Sequence, residues 1–310
     1  MSRPRPSRHP SRVLLAALFA ALSALAWPPG ATALTGSPAW YHAIEVISAV
    51  NETPPEVPLL ILTGGSVTKE CMVGDADWAS QVQRRGGPEV VAHNISSAMR
   101  SFYEDVALVK ALPNVPGIVF IGVNLGRFTW PYQSGEVSLA RNPTLAAKYT
   151  IHHFTSADMM TLAEKQACVV RWMTKSYPHF QARVDYNLRQ LARLVRVCKR
   201  KGLHPVMLEM PRNMAVIGHA YDVPIRRFHR GCWAIARQYG VAYVNFVLDA
   251  NLLNRDFRDL GHLVETGRPK YQRLLSDRTV RLLRRYGMTP PVYETPTPTP
   301  AASASGSPSP

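Results

Sequence analysis

Hydrophobic residues fall into two kinds of segment along the chain. Five short runs are almost continuously apolar: 58–63 (PLLILT), 89–94 (EVVAHN), 117–124 (GIVFIGVN), 204–210 (HPVMLEM) and 241–246 (VAYVNF). An unbroken apolar run of this length predicts a strand covered on both faces, as in parallel sheets. Between the runs the period changes. Val184, Leu188, Leu191, Val195 and Cys198 recur at intervals of four and three, one stripe of a helix predicted over about 179–201. Arg183, Arg189, Arg193, Arg196 and Arg200 lie off that stripe, and Gly202 closes the helix. Further helices are predicted over 96–112, 157–176, 223–238 and 267–285. Strands alternating with helices predict an α/β fold of three layers, α/β/α, around a mainly parallel, doubly wound sheet. Residues 125–156 interrupt the rhythm as one long connection, and long connections often carry function.

The two ends follow a different logic. Arg3, Arg5, Arg8 and Arg12 precede an apolar run over 13–27, and Ala31-Thr32-Ala33 supplies small residues at a cleavage site. This is the pattern of a secretory signal peptide over 1–33. The alternative is an uncleaved anchor, although the run falls short of the roughly 20 residues that span a bilayer. At the other end, 290–310 is rich in Pro, Thr, Ser and Ala and predicts an extended, disordered tail. One folded domain over 34–289 remains, and the protein is expected to be secreted or extracytoplasmic, in the cell envelope.

Composition sharpens that picture. With 46% hydrophobic and 18% charged residues among 310, disorder throughout is excluded. The formal charge is +15, and the four arginines of the leader account for four of those charges, leaving +11 on the mature chain. The remaining basic residues are spread over helices, as at Arg189, Arg193, Arg196 and 199–201. No nucleic-acid-binding motif is present, and export argues against nucleic acid. An anionic envelope polymer is the candidate macromolecular partner, the alternative for any single Arg being a solvated helix face, and membrane contact is expected only if the signal stays uncleaved. Cys71, Cys168, Cys198 and Cys232 allow three disulfide pairings in an exported protein. Cys198 on its apolar stripe is equally a buried thiol. No cysteine or histidine spacing matches a metal site, His152-His153 included, and no cofactor is expected. Two glycosylation sequons occur, at Asn51 and Asn94; the second ends a predicted buried strand.

Candidate chemistry gathers at the carboxyl ends of the predicted strands, where doubly wound folds place their sites. The first strand ends in Gly64-Gly65-Ser66, small residues that permit a sharp turn and present a hydroxyl among free backbone N–H groups. The third ends in Gly122-Val123-Asn124, offering a carboxamide. Asp259-Leu260-Gly261-His262 precedes the last helix, and a spacing of three lets the carboxylate reach its own neighbouring imidazole. A serine nucleophile needs a base, and the base needs a partner to hold its tautomer. Ser66, His262 and Asp259 fit those three roles. The Ser66 N–H and the Asn124 side chain are candidate oxyanion donors. The connection after Asn124 offers Arg127 for an anion and Trp130 for sugar or acyl packing, as substrate-binding candidates; its alternative is a self-packed loop.

These three blocks resemble those of the SGNH (GDSL-like) hydrolase superfamily: LTGGS at 62–66 the nucleophile block, GVN at 122–124 the Gly-x-Asn block, and DLGH at 259–262 the Asp-x-x-His block. The resemblance spans about 200 residues. It implies a flavodoxin-like five-stranded sheet and hydrolysis of carboxylic esters. It further implies Ser66 as nucleophile, His262 as base, Asp259 as its partner and Asn124 as an oxyanion donor. The sequence departs from the family pattern twice. Gly65 stands where the family has Asp. The stretch after the second strand, 94–99 (NISSAM), lacks the Gly whose N–H completes the oxyanion hole; Ser96, Ser97 or Ala98 can donate instead, and Ser97 is the central candidate. The implied activity is that of an exported serine esterase or deacylase, acting on acyl esters of a glycan, lipid or small molecule, O-acetyl esters included. An envelope acyltransferase using the same triad and a catalytically silent binding protein on the same fold are the alternatives.

Overall fold

A computed structural model of the chain describes residues 36–151 and 153–289. The expected signal peptide over 1–33, the tail over 290–310 and His152 lie outside the described residues.

The five apolar runs form five parallel strands: β1 (Leu59–Thr63), β2 (Val91–Asn94), β3 (Gly117–Val123), β4 (His204–Glu209) and β5 (Ala242–Asn245). Their order across the sheet is β2-β1-β3-β4-β5, and every pairing is parallel. Register brings Thr63 opposite Ile121 and Val123 opposite Glu209, so the carboxyl ends of the central strands share one edge.

Alternation along the strands builds two cores. Leu59, Ile61, Val119, Ile121, Val123 and Met207 face one layer, made of α1 (Pro38–Glu52), α4 (Phe102–Ala111), α7 (Tyr177–Arg200) and α9 (Asp222–Tyr239). Leu60, Leu62, Ile118, Phe120, Val206 and Leu208 face the other. There α3 (Asp75–Arg84) contributes Trp78 and Val82, and α10 (Arg268–Arg285) contributes Tyr271, Leu275 and Leu283. Both faces of the sheet are covered, which is why its strands read as unbroken apolar runs. No helix among the described residues is long and apolar enough to cross a membrane. The four cysteines are free thiols, and Cys71, Cys198 and Cys232 are buried. Burial pushes each of those three thiols up.

Several helix boundaries differ from the sequence expectation. The helix expected over 96–112 starts at Phe102, because Ser101 and Glu104 form a reciprocal capping box. Residues 95–100 are thereby released as a loop, in which Met99 adopts φ +59°. The helix expected over 157–176 begins later, as α6 (Leu162–Arg171), capped by Thr161 and Glu164. It runs without a break through a π turn (Trp172–Ser176) into α7. The Tyr177 N–H reaches the Trp172 carbonyl across that turn. The wider ring accommodates Pro178, which lacks the N–H a regular helix would use. Among the helices of ten residues or more, two were absent from the sequence expectation. α1 has a Ser37 cap and buries Trp40, Ala43, Ile44, Ile47 and Val50, a helical period. α3 buries only Trp78 and Val82 and offers almost no apolar pattern.

One contact sets the shape of the β1 turn. The short helix α2 (Ser66–Lys69) sits directly on β1 and β3 through Thr68, which is fully buried. A Cβ on Gly64 would lie 2.3 Å from Thr68 Oγ1, and one on Gly122 would lie 2.1 Å from it. The two glycines therefore let the Ser66 helix pack against the strands. Gly122→Ala is expected to destabilise the fold by about 1–3 kcal/mol through overpacking. Thr68→Ala in the same chain should recover part of that loss, as read by denaturant titration. An equal loss in both backgrounds would show that this contact is not the cause.

Candidate active site

The three polar strand ends meet above the carboxyl edge of the sheet. Ser66 is the first residue of α2, and its Oγ lies 2.8 Å from His262 Nε2. His262 Nδ1 lies 2.8 Å from Asp259 Oδ2 and 3.0 Å from Oδ1. An ionised carboxylate only accepts, so the Nδ1 proton belongs to the His262–Asp259 bond. Nε2 is then the lone-pair nitrogen and accepts from the Ser66 hydroxyl. Asp259 Oδ1 also accepts from the backbone N–H of Gly261 (2.9 Å) and of His262 (3.0 Å). Burial opposes ionisation of Asp259, but these hydrogen bonds and the His262 charge outweigh it and hold the carboxyl well below its ordinary value.

The loop that carries Asp259 is fixed from below. Lys165 on α6 is 1% exposed, and its Nζ donates to Asn254 O, Asn254 Oδ1 and Phe257 O. Asn213 Nδ2 donates to Asn254 Oδ1 and to the Asp259 carbonyl, and its N–H donates to Leu260 O. The loop after β4 and the Asp-x-x-His loop thus brace one another.

Three groups are candidate oxyanion donors, and their hydrogen bonds decide which are free. The Ser66 N–H has no hydrogen-bond partner among the described residues. Asn124 Oδ1 accepts the Arg127 N–H at 3.1 Å as a helix cap, which identifies the oxygen end of the amide and leaves the NH2 end unspent. The third donor corrects the sequence expectation. The Ser97 N–H donates to Gly64 O at 3.1 Å and is committed to holding the β2 loop against the nucleophile turn. The Ser96 N–H is likewise committed, to Asn94 Oδ1. Ala98, exposed and one residue further on, keeps an N–H without a partner among the described residues. It is the free donor of the three candidates.

Arg127 and Trp130 also need correction as substrate contacts. Arg127 is 2% exposed and points into the fold. Its guanidinium pairs with Asp105 on α4, donates to Gly122 O at 2.7 Å and lies over the Phe102 ring. Asp105, fully buried, also accepts the Thr63 hydroxyl at 2.7 Å. The Arg127 stem passes 3.8 Å from where a Gly65 Cβ would be, so this pair forms the floor under the Ser66 turn. Trp130 is 7% exposed, and Asn187 on α7 donates to its carbonyl.

The long connection reaches the site elsewhere. Tyr149 stacks on His42 of α1, and His153 contacts Glu70 and the Val73 carbonyl. Phe154 then packs edge-on against the His262 ring at 5.6 Å. The Arg258 guanidinium covers Phe154 at 4.4 Å and also reaches Asp259 Oδ2 at 3.1 Å. Sequence reasoning missed Phe154, Arg258 and Lys165, and it named Ala98 only as an alternative to Ser97. Only Arg258 carried a signal, its position next to the Asp-x-x-His block. Among the described residues no cluster of His, Cys, Asp or Glu is arranged to hold a metal ion.

No family model matches the chain, and no curated protein matches it. Among solved structures it is similar to a lipase/acylhydrolase from Enterococcus faecalis, at 12% identity and TM-score 0.42, over 76% of this chain and 98% of that one. It is also similar to a GDSL-like lipase from Bacteroides thetaiotaomicron VPI-5482, at 10% identity and TM-score 0.42, over 78% and 98%. A third is a catalytic mutant of an acetylxylan esterase from Geobacillus stearothermophilus, at 14% identity and TM-score 0.41, over 74% and 94%.

Two outcomes follow from the site's electrostatics. Arg127→Met removes the cation in direct contact with Asp105 and leaves only the more distant Arg100, 4.0 Å away, so it is expected to cost about 3 kcal/mol of stability. An unchanged thermal or denaturant midpoint in the variant would contradict the floor assignment. A carboxyl held below its ordinary 3.8 stabilises the fold above that pH and loses its contribution as pH falls further. The stability gap between the wild type and Asp259→Asn should therefore be constant near neutrality and shrink below about pH 4. Denaturation curves across that range measure it.

Proposed function

We propose that the protein is an exported serine esterase or deacylase that hydrolyses carboxylic esters, O-acetyl esters among them. The observation that carries this reading is the continuous hydrogen-bonded relay from Ser66 Oγ through His262 to Asp259. Export rests on the leader pattern over 1–33.

The chemistry follows from the proton positions. His262 Nε2 takes the Ser66 proton as Oγ attacks the ester carbonyl carbon. The new oxyanion is held by the N–H groups of Ser66 and Ala98 and by the Asn124 amide, donors already oriented before substrate arrives. Collapse breaks the bond to the alcohol, and His262 returns the proton to that leaving oxygen. An acyl-Ser66 ester remains. Water, deprotonated by His262, attacks it through the same oxyanion geometry and releases the acid with Ser66 restored. Asp259 stays ionised throughout and fixes the imidazole tautomer.

Ser66→Ala is expected to lower the turnover of a short-chain aryl ester by about 10⁴-fold or more. A fluorophosphonate probe should label the wild type at Ser66 and fail on Ser66→Ala and His262→Ala. Unchanged ester turnover in Ser66→Ala, or no labelling of the folded wild type, would overturn the proposal.

A further inference from the structure

On the α3–α10 side of the molecule a groove of about 460 Å³ is lined by Gln81, Arg84, Arg85, Pro269 and Arg273. It shares no residue with the Ser66 site. Three of its five lining residues are arginines, and none is an acid.

The walls are fixed by packing. Trp78 and Val82 of α3 and Leu275, Val280 and Leu283 of α10 belong to one buried cluster. Gly87 after α3 has no room for a Cβ, which would fall 2.7 Å from a Val82 methyl and 3.0 Å from a Val280 methyl. The turn thus sits close on α10. Gln81 Oε1 accepts the Ser276 hydroxyl, a hydrogen bond from α10 to α3.

Charge accounting within the groove leaves an excess. Arg85 is paired with Asp277. Arg284 donates to the Gly86 carbonyl, which occupies the end of α3. Arg84 and Arg273 are exposed and have neither an ion pair nor a side-chain hydrogen bond among the described residues. A solvated helix face explains one such arginine, but not two lining a single cleft between packed helices without a carboxylate in its lining. The face continues along α10: Arg273, Asp277, Arg281 and Arg284 follow at helical spacing, and all but Asp277 are exposed and basic. That row extends about 17 Å.

We propose that this groove and the row beyond it bind a linear phosphate polymer. Guanidinium forks match phosphate oxygens in pairs. A row of them at helical spacing suits repeating charge better than a single small anion. The lining holds no aromatic ring for base stacking, which disfavours a nucleic acid. Its concavity suits a strand rather than a flat lipid surface. This inference goes beyond the esterase proposal and does not rest on it. Together the two would describe an enzyme held on an anionic polymer by a surface separate from its catalytic centre.

The test uses the full chain and long-chain inorganic polyphosphate, with binding measured at several salt concentrations. The wild type should bind with an affinity that falls steeply with salt, as phosphate contacts require. Arg84→Glu/Arg273→Glu should weaken binding at least tenfold and flatten the salt slope, with the thermal midpoint and short-chain ester turnover unchanged. Arg189→Glu/Arg193→Glu on α7 makes the same change in net charge elsewhere and should leave most of the binding intact. Equal weakening by both pairs would mean that only net charge matters and would overturn the proposal. So would polyphosphate binding unchanged in the groove variant, or tighter binding to single-stranded DNA of matched charge. So would binding to phosphatidylglycerol vesicles without binding to polyphosphate. If ester turnover were absent while groove-dependent binding held, the esterase proposal would fail and this one would stand.

Discussion

The buried ion pair between Asp105 and Arg127 is the constraint on which the site depends. It joins three stretches of chain, at Thr63, at 100–105 and at 122–127. Asp105 stands on α4 and takes the Thr63 hydroxyl at the end of β1. Arg127 follows β3 and donates to Gly122 of that strand and to the Arg100 carbonyl after β2. Three adjacent strand ends are therefore tied to one helix directly beneath Ser66. Removing two charges from water is costly, and a pair this deep is tolerable only because its hydrogen bonds are so fully used. The return is geometric. The turn that carries Ser66 rests on the pair, so its geometry is set by packing, the kind of preorganisation that the proposed catalysis would use.

Much of this was legible in the chain. Both-sided burial turned the five strands into continuous apolar runs, so their positions and parallel sense could be read directly. The Ser66, Asn124 and Asp259–His262 blocks stood at strand or helix boundaries, where local residues reveal turns. Other features were hidden for identifiable reasons. Arg127 follows Asn124 and looks like a surface cation; only the placement of Asp105, 22 residues earlier, turns it inward. Ser97 sits centrally in the block after β2, but the Gly64 carbonyl claims its N–H, and a backbone hydrogen bond leaves no mark in side-chain identity. Helix α3 escaped notice because a short helix packed through two residues has too little apolar pattern to announce itself.

The connection over 125–156 divides into two parts with different roles. Its first residues turn inward, where Arg127, Phe128 and Trp130 join the interior. Its last residues travel outward along α2 and end with Phe154 against His262. The ring limits how His262 can tilt, and Arg258 in turn holds the ring. Arg258 shares the Asp259 oxygen that His262 uses, so a cation and an imidazole lean on one carboxylate.

The π turn at Trp172–Ser176 joins α6 to α7 without a break, so residues 162–200 act as a single rod. One end of that rod is clamped in the helical layer against the sheet. The other end projects Lys165 beneath the Asp259 loop. The loop is consequently cantilevered from the core rather than suspended between its own neighbours, and its stiffness is borrowed from a helix that contributes no group to the chemistry.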